Sequence, residues 1–462
     1  MTVTSPEEPL LRMYVALLTS KWVPFREPNA RNAQSRLGFD LRRTRPKEWA
    51  LRTVRVLQKL LGIERARVVG VRFDEDDRGQ MVVVSLELHK NARSRCPQCK
   101  KRCPGYDQPA APRRWRHLDM GGWRCFLELP AKRVQCPRHD VKTELVPWAR
   151  PEAKMTRAFD DTVAWLCAHA PMTAVSAYLR VSWRTVSRIV ERVVDDHVGL
   201  TKRLNGLRRI GIDEIAYRKG RRYLVVVVNH DTGQLVWAGE GAKKETIERF
   251  FDELGDVRAR RITHISADGA EYIGAVLAEQ APGAYWCMDP FHVLQWVNQA
   301  LDRCRSRVMS RIAGLSKVER GRLRWALLKN PDSLTENQER LQSIVVSDAN
   351  SVLARAYQMK EEIRHILSGA YLSCWAPLRR WLKKAEACDI PEIRTLAPSI
   401  RKREVQIFNA VECQMSNARV EATNCHLRSL TKRSYGFHTP DALIAMANLT
   451  RGGACPELPH RN

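Results

Sequence analysis

Apolar residues change their spacing three times along this chain, and each change predicts a different kind of element. The runs "ARVVGVRF" and "MVVVSLEL" flank the polar turn "DEDDRGQ" and predict a β-hairpin at about 66–88. Residues 157–195 then take helical spacing as three short helices, "RAFDDTVAWLCAHA", "MTAVSAYLR" and "SWRTVSRIVERVV". Ser182 stands where it can cap the third. Val186, Ile189, Val190 and Val193 form that helix's core stripe, which predicts Trp183, Arg184, Ser187 and Arg188 on its outer face. From residue 209 the pattern turns to strands at about 210–216, 222–229 and 234–239, with a turn at Asp231-Thr232-Gly233. A helix at about 244–254 leads to a strand "RITHISAD", ending at Asp268. A helix at about 271–279 leads to a strand "AYWCMD", ending at Asp289. Residues 291–412 read as almost all helix, broken at "KNPDSLT", and a last helix runs from about 416 through 430.

Three antiparallel strands followed by helix, strand, helix and strand is the order of an RNase H-like core. The fold class is therefore multidomain α/β. An RNase H-like catalytic core (207–290 and 413–450) is interrupted by an all-helical insertion (291–412). It is preceded by a β-hairpin plus zinc-finger module (55–150) and a helix-turn-helix (155–200). Residues 1–50, rich in Arg, Pro and Asn with little periodicity, read as a basic disordered extension.

The zinc expectation rests on "CPQC" and "CPRH". Cys96, Cys99, Cys136 and His139 are two ligand pairs with two-residue gaps, the set a tetrahedral structural Zn²⁺ needs. Cys103 and Cys125 are spare candidates, and unrelated buried thiols are the alternative. Between Arg93 and Arg150, 14 Lys/Arg against 5 Asp/Glu make this module basic.

Charge enlarges that picture. Lys and Arg number 78 against 51 acids, for a formal net charge of +27. Such a chain attracts polyanions, and double-stranded DNA leads because phosphate neutralisation releases counterions. A merely basic surface would look the same by charge alone. The outer face of the third helix matches the recognition helix of a helix-turn-helix, although a plain helical bundle with a solvated arginine face would share the pattern. No run of 18 apolar residues and no secretory leader is visible, which predicts a cytoplasmic, nucleoid-associated protein with no membrane contact.

Against this apolar background, Asp213 sits inside the first strand of the core and Asp268 ends the fourth. In the proposed topology these strands are neighbours, and Glu421 offers a third carboxylate from the last helix. Hard oxygen donors suit Mg²⁺ or Mn²⁺, and two ions can serve an in-line phosphodiester displacement. Strand alternation turns Glu214 away from Asp213. A strand-end ion pair for Asp213 and a helix cap for Asp268 are the plainer roles.

These segments together resemble a known family. "CPQC…CPRH", "RHLD", the helix-turn-helix, "GIDEIAYRKG", "ADG", "MDPFHVLQWVNQALDR" and "SNARVEATNCHLRSLTKRSYGF" follow one another as in bacterial DDE transposases of the ISL-three insertion-sequence family. The resemblance covers roughly residues 55–450. It implies that Asp213, Asp268 and Glu421 are the catalytic triad. It also implies that the protein binds terminal inverted repeats, cuts and joins DNA with a divalent metal, and works as a homodimer or higher on DNA. Asp289 and His292 match the family's Asp-x-Phe-His block near the active site; a helix cap and a packing histidine are their plainer roles. Asn424, one turn after Glu421, is a candidate to orient that carboxylate or touch DNA. The sequence departs from the family pattern at His139, Gly269 and Asn229, none of which removes a catalytic group. A transposase-derived DNA-binding regulator with an idle core, and a nuclease that never joins DNA, are the competing classes.

Overall fold

The structure, a computed structural model, describes Val54 and residues 56–108, 111–197, 203–220, 222–311, 316–348 and 351–458. The extension expected over 1–50 lies outside the described residues. The first part contains β1 (Ala66–Asp76), β2 (Gly79–Leu88), β3 (Gly105–Asp107), β4 (Arg113–Met120), β5 (Trp123–Leu129), β6 (Arg133–Cys136) and β7 (Asp140–Thr143). β1 and β2 form the hairpin, with Asp76 paired to Gly79 at its turn. The hairpin does not stand alone. Its apolar β2 pairs in parallel with β5, giving a sheet of order β1-β2-β5-β4. That sheet buries Val82, Val84, Leu86, Leu127 and the edge-to-face pair Trp115–Trp148. A second small sheet, β3-β6-β7, carries Cys136 at the end of β6.

The helix-turn-helix comprises α1 (Arg157–His169), α2 (Met172–Leu179) and α3 (Trp183–His197). Thr156 caps α1 by accepting from the Phe159 N–H, and Ser182 Oγ accepts from the Thr185 N–H at 3.2 Å. Between α2 and α3 the chain reverses through Arg180 in the left-handed region. The expected stripe of Val186, Ile189, Val190 and Val193 is buried, but not in a core of its own. It joins Ile215, Leu224, Val226, Val420, Leu427 and Leu443 in one apolar cluster. Arg150, fully buried, fixes the preceding module to these helices through Asp160, Asp161 and Asp196.

A five-stranded sheet follows. It consists of β8 (Arg209–Arg218), β9 (Arg222–Asn229), β10 (Leu235–Glu240), β11 (His264–Ala267) and β12 (Tyr285–Met288), in the order β10-β9-β8-β11-β12. α4 (Lys244–Leu254) and α5 (Glu271–Gln280) cover one face, where Val225, Val227, Phe250 and Val276 pack. The helix-turn-helix covers the other with α13 (Ala418–Arg433) and α14 (Pro440–Arg451), over Leu224, Val226 and Val228. Burial on both faces explains why β9 is an uninterrupted apolar run rather than an alternating one.

Between β12 and α13 the described residues form seven α-helices. They are α6 (Pro290–Val308), α7 (Lys317–Leu328), α8 (Glu336–Val346), α9 (Val352–Leu367), α10 (Trp375–Ala387), α11 (Pro391–Arg401) and α12 (Glu404–Glu412). The break near Pro331 is a 3₁₀ turn, Pro331–Ser333. These helices share one core, in which Trp381 donates to the Met359 carbonyl at 2.9 Å. Among the described residues, no helix is long and apolar enough to cross a membrane.

Candidate active site and metal centres

The central strand β8 is antiparallel to β9 and parallel to β11, with Ile265 opposite Ile210 and Ser266 opposite Gly211. Carried two residues further, that register sets Asp268 level with Asp213. Paired positions in a parallel ladder face the same side, so both carboxylates belong to the face that α13 covers. Gly211 explains how α13 comes so close. A Cβ there would lie 2.3 Å from Val420 Cγ2 and 2.7 Å from His230 Nε2. Only glycine lets the helix sit against the strand, and the residue after Val420 is Glu421.

A buried polar chain fixes where α13 begins. Asp289 accepts from the Phe291 N–H at 3.0 Å, which caps α6, and from the Asn417 N–H at 3.1 Å. The Ser266 hydroxyl donates to the Asn417 side-chain carbonyl. His230 Nε2 lies 2.7 Å from the same hydroxyl. Burial holds the His230 pKa down to about 4, so the ring is neutral. Since Ser266 has one proton and donates it, the ring must donate through Nε2. Asp289 is thus a joint between two helices, both oxygens taken by backbone N–H groups. That is the plainer of the two roles open to it, and it fixes the helices that carry His292 and Glu421.

Asn424 is 2 % exposed, and its amide donates to Asp213 Oδ2 at 2.8 Å. It therefore orients Asp213 and not, as its place one turn after Glu421 suggested, Glu421 itself. Asp213 Oδ1 accepts from the Glu214 N–H at 2.8 Å. Burial raises the Asp213 pKa most. The Glu214 N–H and the nearby His292 oppose it, and the charges of Asp268 and Glu421 add to the rise. Burial first, then Asp213 and Asp268, raise the Glu214 carboxyl too, although strand alternation turns it the other way. Asp268 accepts from the Gly269 N–H at 2.6 Å, and the cap position of α5 is Ala270, so Asp268 is no helix cap. The helical segment braces this loop. Arg403 donates to the Gly269 carbonyl at 2.9 Å and packs over the Trp296 ring, and a Cβ on Gly269 would lie 2.6 Å from its guanidinium.

Several carboxylates thus gather on one sheet face with one histidine nearby. That donor set of hard, like-charged oxygens fits divalent cations. Among the described residues these oxygens do not all crowd within 4.8 Å of one another, as the zinc-type ligands do. Carboxylates serving two ions about 4 Å apart are spread round two centres rather than one.

Cys96, Cys99, Cys136 and His139 make the tighter set, with all four ligand atoms within 4.8 Å of one another. Cys99 Sγ lies 3.7 Å from Cys136 Sγ, and His139 Nδ1 lies 3.5 Å from the sulfurs of Cys96 and Cys136. Tetrahedral bonds of about 2.3 Å to sulfur and 2.0 Å to nitrogen imply separations of roughly 3.8 and 3.5 Å. The Arg138 N–H, the largest influence, brings the Cys136 thiol down to about 6. Cys103 bonds the Lys101 carbonyl instead, and Cys125 is buried in the first sheet, its thiol pushed up to about 12 by burial.

Arg184 and Arg188 project from α3 into solvent. The other two residues expected on that face do not. Ser187 is 9 % exposed and donates to Glu191 at 3.1 Å, because it follows Val186 and precedes Val190 by three and so borders the core stripe. Trp183 is half-buried, edge-on to His438.

Sequence reasoning missed His230, Ser266, Asn417 and Arg403. Their contacts span distant segments, so no local spacing announces them. Gly211, set between two isoleucines, was the one readable sign that something approaches the strand closely.

Three family models match the chain. One described as "Transposase", of the ISL3 DDE class, covers residues 210–447. A helix-turn-helix domain of transposase family ISL3 covers 144–194, and a zinc finger of the transposases of IS204, IS1001, IS1096 and IS1165 covers 92–139. The chain is 42% identical over 439 residues to the transposase for insertion sequence element IS1557 of Mycobacterium tuberculosis, spanning 89% of this chain and 98% of that protein. It is 25% identical over 391 residues to the transposase for IS1001 of Bordetella parapertussis, spanning 83% and 94%.

Proposed function

This chain belongs to the ISL3 family of DDE transposases, DNA-binding enzymes that use divalent metal, and we propose that its catalysis runs through Asp213, Asp268 and Glu421. The observation that carries this reading is the meeting of β8, the end of β11 and α13 on one face, where burial first, and the charges of Asp268 and Glu421 after it, hold the Asp213 pKa up. These three carboxylates would hold Mg²⁺ or Mn²⁺. Two such ions, when bound, supply an activated attacking hydroxyl and charge compensation at the leaving oxygen.

The chain's own groups prepare that chemistry. Asn424 presents Asp213 with its second oxygen oriented. Asp289 and Asn417 set the start of α13, which carries Glu421, and Arg403 holds the loop after Asp268. His292 stands where it can donate to a phosphate oxygen beside Asp213. Cleavage transfers the scissile phosphate from the 3′ oxygen of the element strand to water. The freed 3′ hydroxyl then attacks a phosphodiester of the target, and that phosphate's own 3′ oxygen leaves.

The basic module with Cys96, Cys99, Cys136 and His139 would hold structural Zn²⁺ and, with Arg184 and Arg188 of α3, bind the terminal inverted repeats. Joining two ends to one target calls for a homodimer or larger assembly on DNA, in the compartment that holds the nucleoid. The test is excision of a marked element from a plasmid. Asp213→Asn, Asp268→Asn and Glu421→Gln should each abolish excision while shifting end DNA on a gel like the unaltered protein. Excision that survives any one of them removes that residue from the triad. Binding without excision by the unaltered chain would favour a DNA-binding regulator instead.

A further inference from the structure

One exposed stripe of α13 starts at the proposed catalytic carboxylate. Glu421, Cys425, Arg428 and Lys432 recur at four- and three-residue spacing, and all four are exposed. Neither Arg428 nor Lys432 has an ion pair among the described residues. The next position in the same rhythm is Tyr435. Tyr435 is 93 % exposed, and its backbone is left-handed at φ 54°, a conformation that tyrosine adopts only under constraint. The neighbours explain the constraint. Phe437 is anchored in the core, and His438 packs edge-on against Trp183, the first residue of α3. The turn thus drives one aromatic inward, docks the recognition helix with the next ring, and holds Tyr435 out in solvent. Arg184 and Arg188 follow directly on that docked end, also exposed. α3, α13 and β8 share one apolar cluster, which packs these positions against one another.

We propose that the exposed face of α13 from Cys425 to Lys432, with Tyr435 in the turn just beyond it, is a track for the substrate DNA, linking the helix-turn-helix to the active site of the same protomer. The inference rests on the transposase reading above and adds the path of the duplex. Helix rise sets the scale. At about 1.5 Å per residue, Arg428, Lys432 and Tyr435 lie roughly 10, 16 and 21 Å from Glu421. With DNA rising about 3.4 Å per base pair, they meet the duplex about three, five and six base pairs from the cut. Arg428 and Lys432 take phosphates, and Tyr435 lies against the sugar and base edges at the far end. The number of base pairs between recognised sequence and cut is then fixed by the shared core and not by a flexible linker.

The test uses the full chain, buffer without Mg²⁺ or Mn²⁺ to prevent cutting, and a duplex carrying the element end. Cys425 is the exposed cysteine of the stripe, and its alkylation by a maleimide is followed by mass spectrometry. The duplex should slow labelling of Cys425 at least several-fold while exposed cysteines introduced on α8 label unchanged. Arg428→Ala with Lys432→Ala should lower the salt slope of binding by about two phosphate contacts' worth. Hydroxyl-radical protection three to six base pairs from the cut should disappear, while protection by the helix-turn-helix stays. Tyr435→Gly should raise thermal stability by relieving the left-handed strain, yet lose protection at the sixth base pair. Undiminished Cys425 labelling on DNA, or an unchanged slope and footprint in the double variant, would overturn the track. None of these readouts needs cleavage, so failure of the carboxylate assignment would leave them intact and be recognised separately.

Discussion

Asn424→Ala isolates the one side chain that, among the described residues, bonds a carboxylate of the proposed triad. The Asn424 amide donates to Asp213 Oδ2 at 2.8 Å, and its own carbonyl oxygen has no partner among the described residues. Removing the side chain therefore orphans a single group, the Asp213 oxygen. A hydrogen bond to a charged acceptor contributes about 1.5–3 kcal/mol, which is about 10- to 100-fold in an equilibrium constant. The same range, about 10–100-fold, is typical when a group supporting a metal ligand is lost. The loss falls on the ionised form of Asp213, so the carboxyl, already raised by burial, should rise further. The assay is cleavage of an end-labelled duplex across a Mg²⁺ titration at fixed pH. The midpoint should move up by about 10- to 100-fold, with a partial recovery at higher pH and with binding of end DNA without added Mg²⁺ unchanged. An unaltered Mg²⁺ midpoint, in protein of native circular dichroism, would refute the idea that Asn424 prepares Asp213 for metal.

Three further outcomes follow from other parts of the molecule. Cys96→Ser should release zinc, measured by atomic emission, and weaken end binding at least tenfold, while the thermal transition of the rest of the chain persists. Gly211→Ala puts a methyl group 2.3 Å from Val420; it should lower stability by about 1–3 kcal/mol, the usual range for overpacking, and abolish cleavage by displacing Glu421. The raised Asp213 and Glu214 carboxyls set a pH dependence. The folded state holds their protons more tightly than the unfolded chain, so the stability they contribute is present below the ordinary carboxylate range and lost as pH rises through their raised values. Metal-free melting temperature should fall over that interval for the unaltered chain, and less for Asp213→Asn; equal slopes would speak against the crowding.

The positions of strands and helices were legible because local patterns encode them. The carboxylates betrayed themselves as polar residues inside apolar strands, and the cysteine pairs by their gaps. What the sequence concealed depends on which surfaces meet. The first hairpin is half of a larger sheet because β2 needs a partner on its other edge. The recognition helix has no core of its own and packs on the catalytic sheet, which turns Ser187 inward. Asp289, Asn417, Ser266 and His230 form one buried chain assembled from four separate segments, and no spacing along the chain predicts such an assembly.

The central claim is that the three carboxylates cut and join DNA. The most direct measurement incubates purified protein with a labelled duplex carrying the element end and an unlabelled plasmid target. It is run with Mg²⁺, with chelator, and with Glu421→Gln. A nick at the element end and labelled DNA covalently joined to the plasmid, both lost with chelator and with Glu421→Gln, is the predicted result. Joined products that persist with Glu421→Gln, or cutting that never yields them, would contradict it.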